Sequence, residues 1–167
     1  MPIRYEIAED ILARLYDIVK KIGMEHVRFS GLYAVRSRGS SARGTIARCH
    51  ALSKIWQKCL DIKAVYIIEI ISEKFDKMSR EEQDKTLIHE LMHIPKSCGG
   101  GFKHHNVVCE RNVEKMYEKY ICLKRGVTNN INNKGSYVNK QISDDNVDKF
   151  SKKINKKRFF DVNLFRF

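Results

Sequence analysis

The sequence predicts an α+β fold in which a short antiparallel or mixed sheet packs on a central helix. Three stretches, at about 5–22, 79–93 and 106–121, carry apolar residues at intervals of three and four, as helices with one buried face do. The stretch from Lys63 to Ser72 is rich in isoleucine and has the length of a strand. With 167 residues, 43% of them hydrophobic, the chain has the size of one domain with a core.

The N-terminal half supplies most of the predicted scaffold. Apolar residues at helical spacing predict a helix from about residue 5 to 22, which Gly23 closes. The segment from Val27 to Val35 predicts a strand, and the segment from Thr45 to Leu60 has a mixed pattern that favours helix. We therefore expect a small sheet beside the helices.

The next helix has clear signals at both ends. Ser79 followed by Glu82 three residues later is the pattern of a capping box, and acidic side chains fill the first turn. Pro95 disfavours helical backbone in the residue before it, so this helix should end at His93 or Ile94.

This helix contains the sequence His89-Glu90-Leu91-Met92-His93, an H-E-x-x-H pattern. Residues four apart share one helix face, so His89 and His93 can offer ring nitrogens to one cation while Glu90 reaches a water beside it. The pattern predicts two zinc ligands and the general base of a metallopeptidase, a hydrolase. The alternative interpretation is an amphipathic core helix with two surface histidines.

A catalytic zinc site uses three protein ligands, so a third ligand must lie downstream. His104 and His105 stand just beyond a loop that contains three glycines. The metzincin class places its third histidine six residues after the second, where this chain has Gly99, so that class is excluded.

Two other kinds of third ligand stay open on spacing alone. Glu110, Glu114 and Glu118 lie on one face of the helix predicted from about 106 to 121. Cys98 stands in the loop between the histidines, and thiolate is a good zinc ligand. The histidine pair remains the preferred source of the third ligand.

The motif, the glycine-containing spacer and the His104-His105 pair together resemble the putative phage metallopeptidase family, which also occurs in archaeal chromosomes. Upstream, the runs 47–52, 55–57 and 66–69 are similar to the same family's N-terminal half, so the resemblance covers about residues 5 to 121. It implies a zincin-like metallopeptidase domain that acts on proteins or peptides. It also implies a third ligand after a basic residue and a variable position, which favours His105.

More distantly, the chain resembles the SprT-like and Spartan zinc proteases, in which a loop and a third histidine follow the H-E-x-x-H helix. Many SprT-like proteins also carry a C-terminal zinc ribbon, and this chain has no C-x-x-C pair. In zinc proteases of this kind an edge strand binds an extended peptide. The segment from Ala64 to Ile71 is either such an edge or a buried central strand.

The charge distribution predicts two parts of the chain. Residues 1–125 form the predicted zincin-like metallopeptidase domain, and residues 126–167 form a basic, aromatic C-terminal extension. From residue 124 onward there are 11 Lys and Arg against four Asp, within a net charge of +12. This Lys-rich tail is one possible contact for nucleic acid, and the other is a set of arginines in and beside a Gly/Ser-rich stretch: Arg36, Arg38, Arg43 and Arg48.

Three functions from different classes follow. The first is a zinc metalloendopeptidase, whose substrates would include DNA-associated proteins if the SprT-like resemblance extends to them. The others are a nucleic-acid-binding protein and a non-catalytic structural or regulatory domain in which zinc joins a loop to a helix. Because the chain has no membrane-length apolar run and no signal-peptide pattern at its N-terminus, we expect a cytoplasmic protein without a membrane partner.

Overall fold

The computed structural model describes residues 2–126, and these form an α+β fold, as predicted. The four strands are β1 (Arg4–Ile7), β2 (Leu32–Arg38), β3 (Ala47–Ala51) and β4 (Tyr66–Ile71). The helices are α1 (Glu9–Ile22), α2 (Lys54–Leu60), α3 (Ser72–Phe75), α4 (Arg80–Met92) and α5 (Glu110–Lys124). None of these helices has both the length and the apolar character needed to cross a membrane.

The sheet is mixed, with the strand order β1-β2-β4-β3. β2 and β4 are parallel, whereas the two outer pairings are antiparallel. Four consecutive residues of β4, from Ile68 to Ile71, are buried, as expected for a strand with neighbours on both sides. The interpretation of 64–71 as a peptide-binding edge is therefore wrong, and the alternative of a central strand is confirmed. β3 is the edge on this side of the sheet.

The predicted helix from residue 5 to 22 is correct only from Glu9 onward. Residues 4–7 form β1, which pairs with β2 from Arg4 opposite Arg38 to Ile7 opposite Val35. All four residues of β1 are exposed, so the strand has no alternation of buried and exposed side chains to mark it. It is formed by pairing with residues about 30 positions away, which local spacing does not reveal.

The mixed segment from Thr45 to Leu60 was predicted to favour helix, but it contains both a strand and a helix. Its first part is β3, whose residues Ala-Arg-Cys-His-Ala include no β-branched side chain. Pairing with β4 imposes the extended conformation. Upstream, the strand predicted from Val27 instead begins at Leu32, because residues 29–31 form a short 3-10 helix.

α4 follows the prediction closely. The Ser79 side chain accepts from the Glu82 backbone N–H, and the Glu82 carboxylate accepts from the Ser79 backbone N–H, which completes the capping box. The helix ends at Met92 with His93 as its C-cap residue. It packs on α1, α5, β3 and β4, and its buried Leu and Ile side chains each contribute about 1.5–3 kcal/mol by leaving water.

α5 begins at Glu110, four residues later than predicted, and buries Val113 and Tyr120 as the apolar stripe indicates. The predicted basic, aromatic extension of residues 126–167 lies, apart from Gly126, outside the described residues.

Candidate metal centre

His89 and His93 occupy one face of α4, one turn apart, as the motif spacing predicts. Their Nε2 atoms lie 3.2 Å apart. Two ligands of one zinc ion at about 2.0–2.1 Å in tetrahedral geometry would have their nitrogens about 3.4 Å apart. The two imidazoles are thus spaced as ligands of a single cation.

The backbone of Lys103 fixes the orientation of the His93 ring. The Lys103 carbonyl lies 2.8 Å from His93 Nδ1, and the Lys103 N–H donates to the His93 carbonyl at 2.8 Å. Since a carbonyl only accepts, Nδ1 carries the proton and Nε2 keeps its lone pair for a metal. This contact also ties the end of α4 to the segment that carries the next histidines.

His105 completes a group of three imidazoles. Its ring centroid lies 5.6 Å from that of His89 and 4.8 Å from that of His93. One ligand nitrogen from each ring can be chosen so that all three lie within 4.8 Å of one another. Neighbouring His104 is exposed and does not belong to this group.

The other ligands that spacing left open also lie outside the group within residues 2–126. The Glu114 carboxylate pairs with Lys85 Nζ at 2.7 Å, and Glu110 and Glu118 are exposed on α5. Cys98 adopts a positive φ of 44° in the loop and lines a different cavity.

Glu90 follows His89 on α4 and is buried, with 7% of its surface exposed. Burial raises the pKa of its carboxyl to about 7, although a hydrogen bond from the Cys49 backbone N–H works in the opposite direction. A carboxylate with a pKa near neutrality can both accept and return a proton at physiological pH. The hydrogen bond from Cys49 also places the Glu90 carboxyl directly beside the edge strand β3.

The surroundings of His89 disfavour the charged form of its imidazole. Burial lowers the pKa of its imidazole, and the nearby rings of His93 and His105 lower it further. The neutral imidazole is the form that ligates a metal, so the environment favours the form needed.

The loop between His93 and His105 is held by two side chains that no motif or spacing in the sequence predicted. The Tyr66 hydroxyl accepts from the Gly100 N–H at 2.9 Å and donates to the Gly101 carbonyl at 3.0 Å. The Gln57 amide donates to the Gly99 carbonyl at 3.3 Å. Both residues lie in runs similar to the metallopeptidase family, and that similarity was the only signal in the sequence that marked them.

Three of the four arginines predicted to contact phosphates are paired with carboxylates of the chain. Arg36 donates two hydrogen bonds of 2.9 Å to Asp10, and Arg38 lies 3.5 Å from Glu6. Arg48 lies 3.5 Å from Glu69, and Arg43 is exposed in the 39–46 loop. This arrangement provides no specific support for a nucleic-acid surface.

Arg48 shares a buried carboxylate with its neighbour on β3. Glu69 of β4 lies 2.7 Å from His50 Nε2 and 3.5 Å from Arg48 Nη1. Burial tends to raise the pKa of Glu69, but hydrogen bonds from Ser37 and His50 and the charges of His50 and Arg48 hold it below 4.5. The ionised Glu69 therefore holds the edge strand to the sheet.

A comparison with protein families matches residues 3–132 to the putative phage metallopeptidases. The chain belongs to this family. Neither the curated proteins nor the solved structures include a significant match. Membership in the putative phage metallopeptidase family indicates a metal-dependent hydrolase whose substrates are proteins or peptides. The three imidazoles fit the metal ion that the family implies, because one nitrogen from each ring can lie within 4.8 Å of the other two. The lowered pKa of His89 and the contact of His93 Nδ1 with the Lys103 carbonyl also favour rings with a free nitrogen lone pair.

Proposed function

We propose that the protein is a zinc endopeptidase with His89, His93 and His105 as metal ligands and Glu90 as the general base. The observation that carries the proposal is the convergence of three imidazoles beside a buried carboxyl whose pKa is about 7. Zinc is the metal most often held by three histidines in a hydrolase of this type. We infer that the metallopeptidase domain spans residues 1–125 and that residues 126–167 are an extension to it.

In the proposed reaction, Glu90 takes part in two proton transfers. Its carboxylate accepts the proton of the attacking water and then delivers it to the amine that leaves when the peptide bond breaks. A bound zinc ion supplies the Lewis acidity that activates the water and polarises the substrate carbonyl. The burial of Glu90 supports this role, because an exposed glutamate would be too weak a base and a poor proton donor near pH 7.

The substrate is proposed to bind along β3. This strand is an edge, so one row of its backbone N–H and C=O groups faces away from β4. An extended peptide can pair with the members of this row other than the Cys49 N–H, which donates to Glu90. The hydrogen bond between Glu90 and the Cys49 N–H brings the middle of β3 to the general base. A peptide paired there would have its backbone next to the imidazole group.

Replacing Glu90 by Gln tests this function. We expect the variant to bind one zinc ion per chain, as the wild type does, and to lose about 10²–10⁴-fold in the rate of hydrolysis of unfolded protein or fluorogenic peptides. The matched control is Glu118→Gln, which changes an exposed carboxyl on α5 and should keep full activity. Wild-type activity in Glu90→Gln would refute the mechanism.

A further inference from the structure

A concave site is formed in part by the loop between His93 and His105. It is a shallow cavity of about 420 Å³ that is largely open to solvent. Its walls come from four parts of the chain: the segment before the 3-10 helix, helix α2, the residues before β4, and the loop after α4. The lining residues are His26, Arg28, Gln57, Lys63, Ala64, Lys96, Ser97, Cys98 and Gly99.

The cavity is basic. Arg28, Lys63 and Lys96 line it, and no Asp or Glu is among the lining residues. Within residues 2–126, none of these three cations takes part in an ion pair; Arg28 instead donates to the neutral carbonyl of Ala64 at 2.8 Å. Positive charge is thus concentrated in one concavity without compensation, which is the electrostatic arrangement of an anion site.

His26 lies close to positive charges of the cavity and its surroundings. Burial lowers the pKa of its imidazole, and the nearby charges of Lys103 and Lys96 lower it further. Lys103 therefore adds a further positive charge close to the cavity.

The cavity lies at one end of the proposed peptide-binding strand. Ala64 precedes β4 by two residues, and Tyr66, the first residue of β4, pairs with Ala51, the last residue of β3. The Gln57 amide donates both to the Leu52 carbonyl, just past β3, and to the Gly99 carbonyl. The C-terminal end of β3 thus leads directly to the cavity wall.

We take the substrate peptide to pair antiparallel to β3, and this direction together with the position of the cavity decides which part of the peptide would reach it. In antiparallel pairing, the N-terminal residues of the added peptide lie opposite the C-terminal residues of the strand. Cys49 beside Glu90 marks the reacting bond, and the cavity lies beyond Ala51. Side chains a few positions on the N-terminal side of the cleaved bond would therefore point toward Arg28, Lys63 and Lys96.

We propose that this basic cavity is a substrate subsite that recognises a carboxylate side chain, Asp or Glu, on the N-terminal side of the cleaved bond. The inference rests on the proposed peptidase function and names the substrate class. A guanidinium group beside two ammonium groups can form charge-assisted hydrogen bonds to a carboxylate. An acidic peptide is favoured over a nucleic acid because the charge lies within a concavity that continues from the proposed peptide-binding edge.

The test compares peptides that differ only by Glu or Gln at each of the positions from two to five residues before the cleaved bond. We expect wild-type kcat/KM to be about tenfold higher for Glu at one or two of these positions. The double variant Lys63→Glu/Lys96→Glu should abolish or reverse this preference while the Gln peptides are still cleaved. The control Arg111→Glu/Lys115→Glu makes the same charge change on the exposed face of α5 and should keep the preference.

Equal cleavage of Glu and Gln peptides by the wild type, or an unchanged preference in the double variant, would overturn the subsite. Failure of the wild type to cleave any peptide would instead count against the proposed function. The subsite is then decided by fluorescence anisotropy of the labelled Glu and Gln peptides with the intact chain. Selective binding of the Glu peptides that is lost in Lys63→Glu/Lys96→Glu supports it, and equal binding overturns it.

Discussion

The Tyr66 hydroxyl joins β4 to the glycine loop, and its removal should weaken metal binding. Tyr66 is 1% exposed, and its hydroxyl makes two hydrogen bonds, of 2.9 Å to the Gly100 N–H and 3.0 Å to the Gly101 carbonyl. Tyr66→Phe removes both bonds and leaves the ring in place. At about 1 kcal/mol for each bond, the native conformation of the loop loses about 2 kcal/mol of stabilisation.

The loss should be measurable at the metal site because the loop leads to His105. If the metal-free variant samples other loop conformations, zinc must restore the native one, which weakens binding by up to about 30-fold. The assay is competition for zinc with a chromophoric chelator, together with denaturant unfolding of the metal-free protein. The matched control is Tyr120→Phe, since Tyr120 is also 1% exposed and its hydroxyl donates to Asp17 at 2.9 Å.

Tyr120→Phe should lower the free energy of unfolding and leave zinc affinity unchanged. If both variants lose stability alike and neither loses zinc affinity, Tyr66 does not position His105 through the loop, and the reasoning fails.

Three further predictions concern other parts of the structure. His105→Ala should lower zinc affinity by more than about 100-fold, whereas His104→Ala should leave it nearly unchanged, and a chelator titration that gave the reverse order would assign the third ligand to His104. Gly100→Ala should cost about 1–3 kcal/mol in urea unfolding, because φ is +89° and the new Cβ would lie 2.5 Å from the backbone carbonyl oxygen of Leu52. Glu69→Gln should reduce the loss of stability in acid. The pKa of Glu69 is lowered in the folded protein, so its contribution is complete above the ordinary pKa of 4.5 and disappears as the pH falls through the lower folded value. If the free energies of unfolding of the wild type and of Glu69→Gln fall equally from neutral to acid pH, this assignment is contradicted.

Local patterns predicted α4 almost residue by residue. A capping box depends on residues three apart, and the conformational effect of Pro95 acts on the residue before it, so both are visible in a short window of sequence. Strands β1 and β3 were not predicted correctly for the opposite reason. The exposed residues of β1 and the small and polar residues of β3 carry no strong strand pattern, and distant partners in β2 and β4 impose their conformation.

The residues of the candidate site likewise fall into those that local spacing predicted and those that it did not. The spacing of His89, Glu90 and His93 was sufficient to predict which three side chains share the end of α4. The choice of His105 over His104 needed the family resemblance, because adjacent residues after a loop have no periodicity that separates them. Within residues 2–126, His105 and not His104 lies in the group of three imidazoles, and its role as a ligand stays a prediction. Tyr66 and Gln57 could not be found by spacing, because their contacts span 34 to 42 positions.

The sequence by itself determined the helix that carries the H-E-x-x-H motif, its beginning and end, and the presence of two imidazoles and a carboxyl within one turn of it. These follow from helix geometry and capping, which act over a few residues. Only the tertiary structure decided that β4 is central and β3 is the edge, that Glu90 is buried against the Cys49 N–H, and that a basic cavity adjoins the end of that edge. Strand order, burial and the grouping of charges arise from contacts between distant segments, so they exist only once the chain has folded.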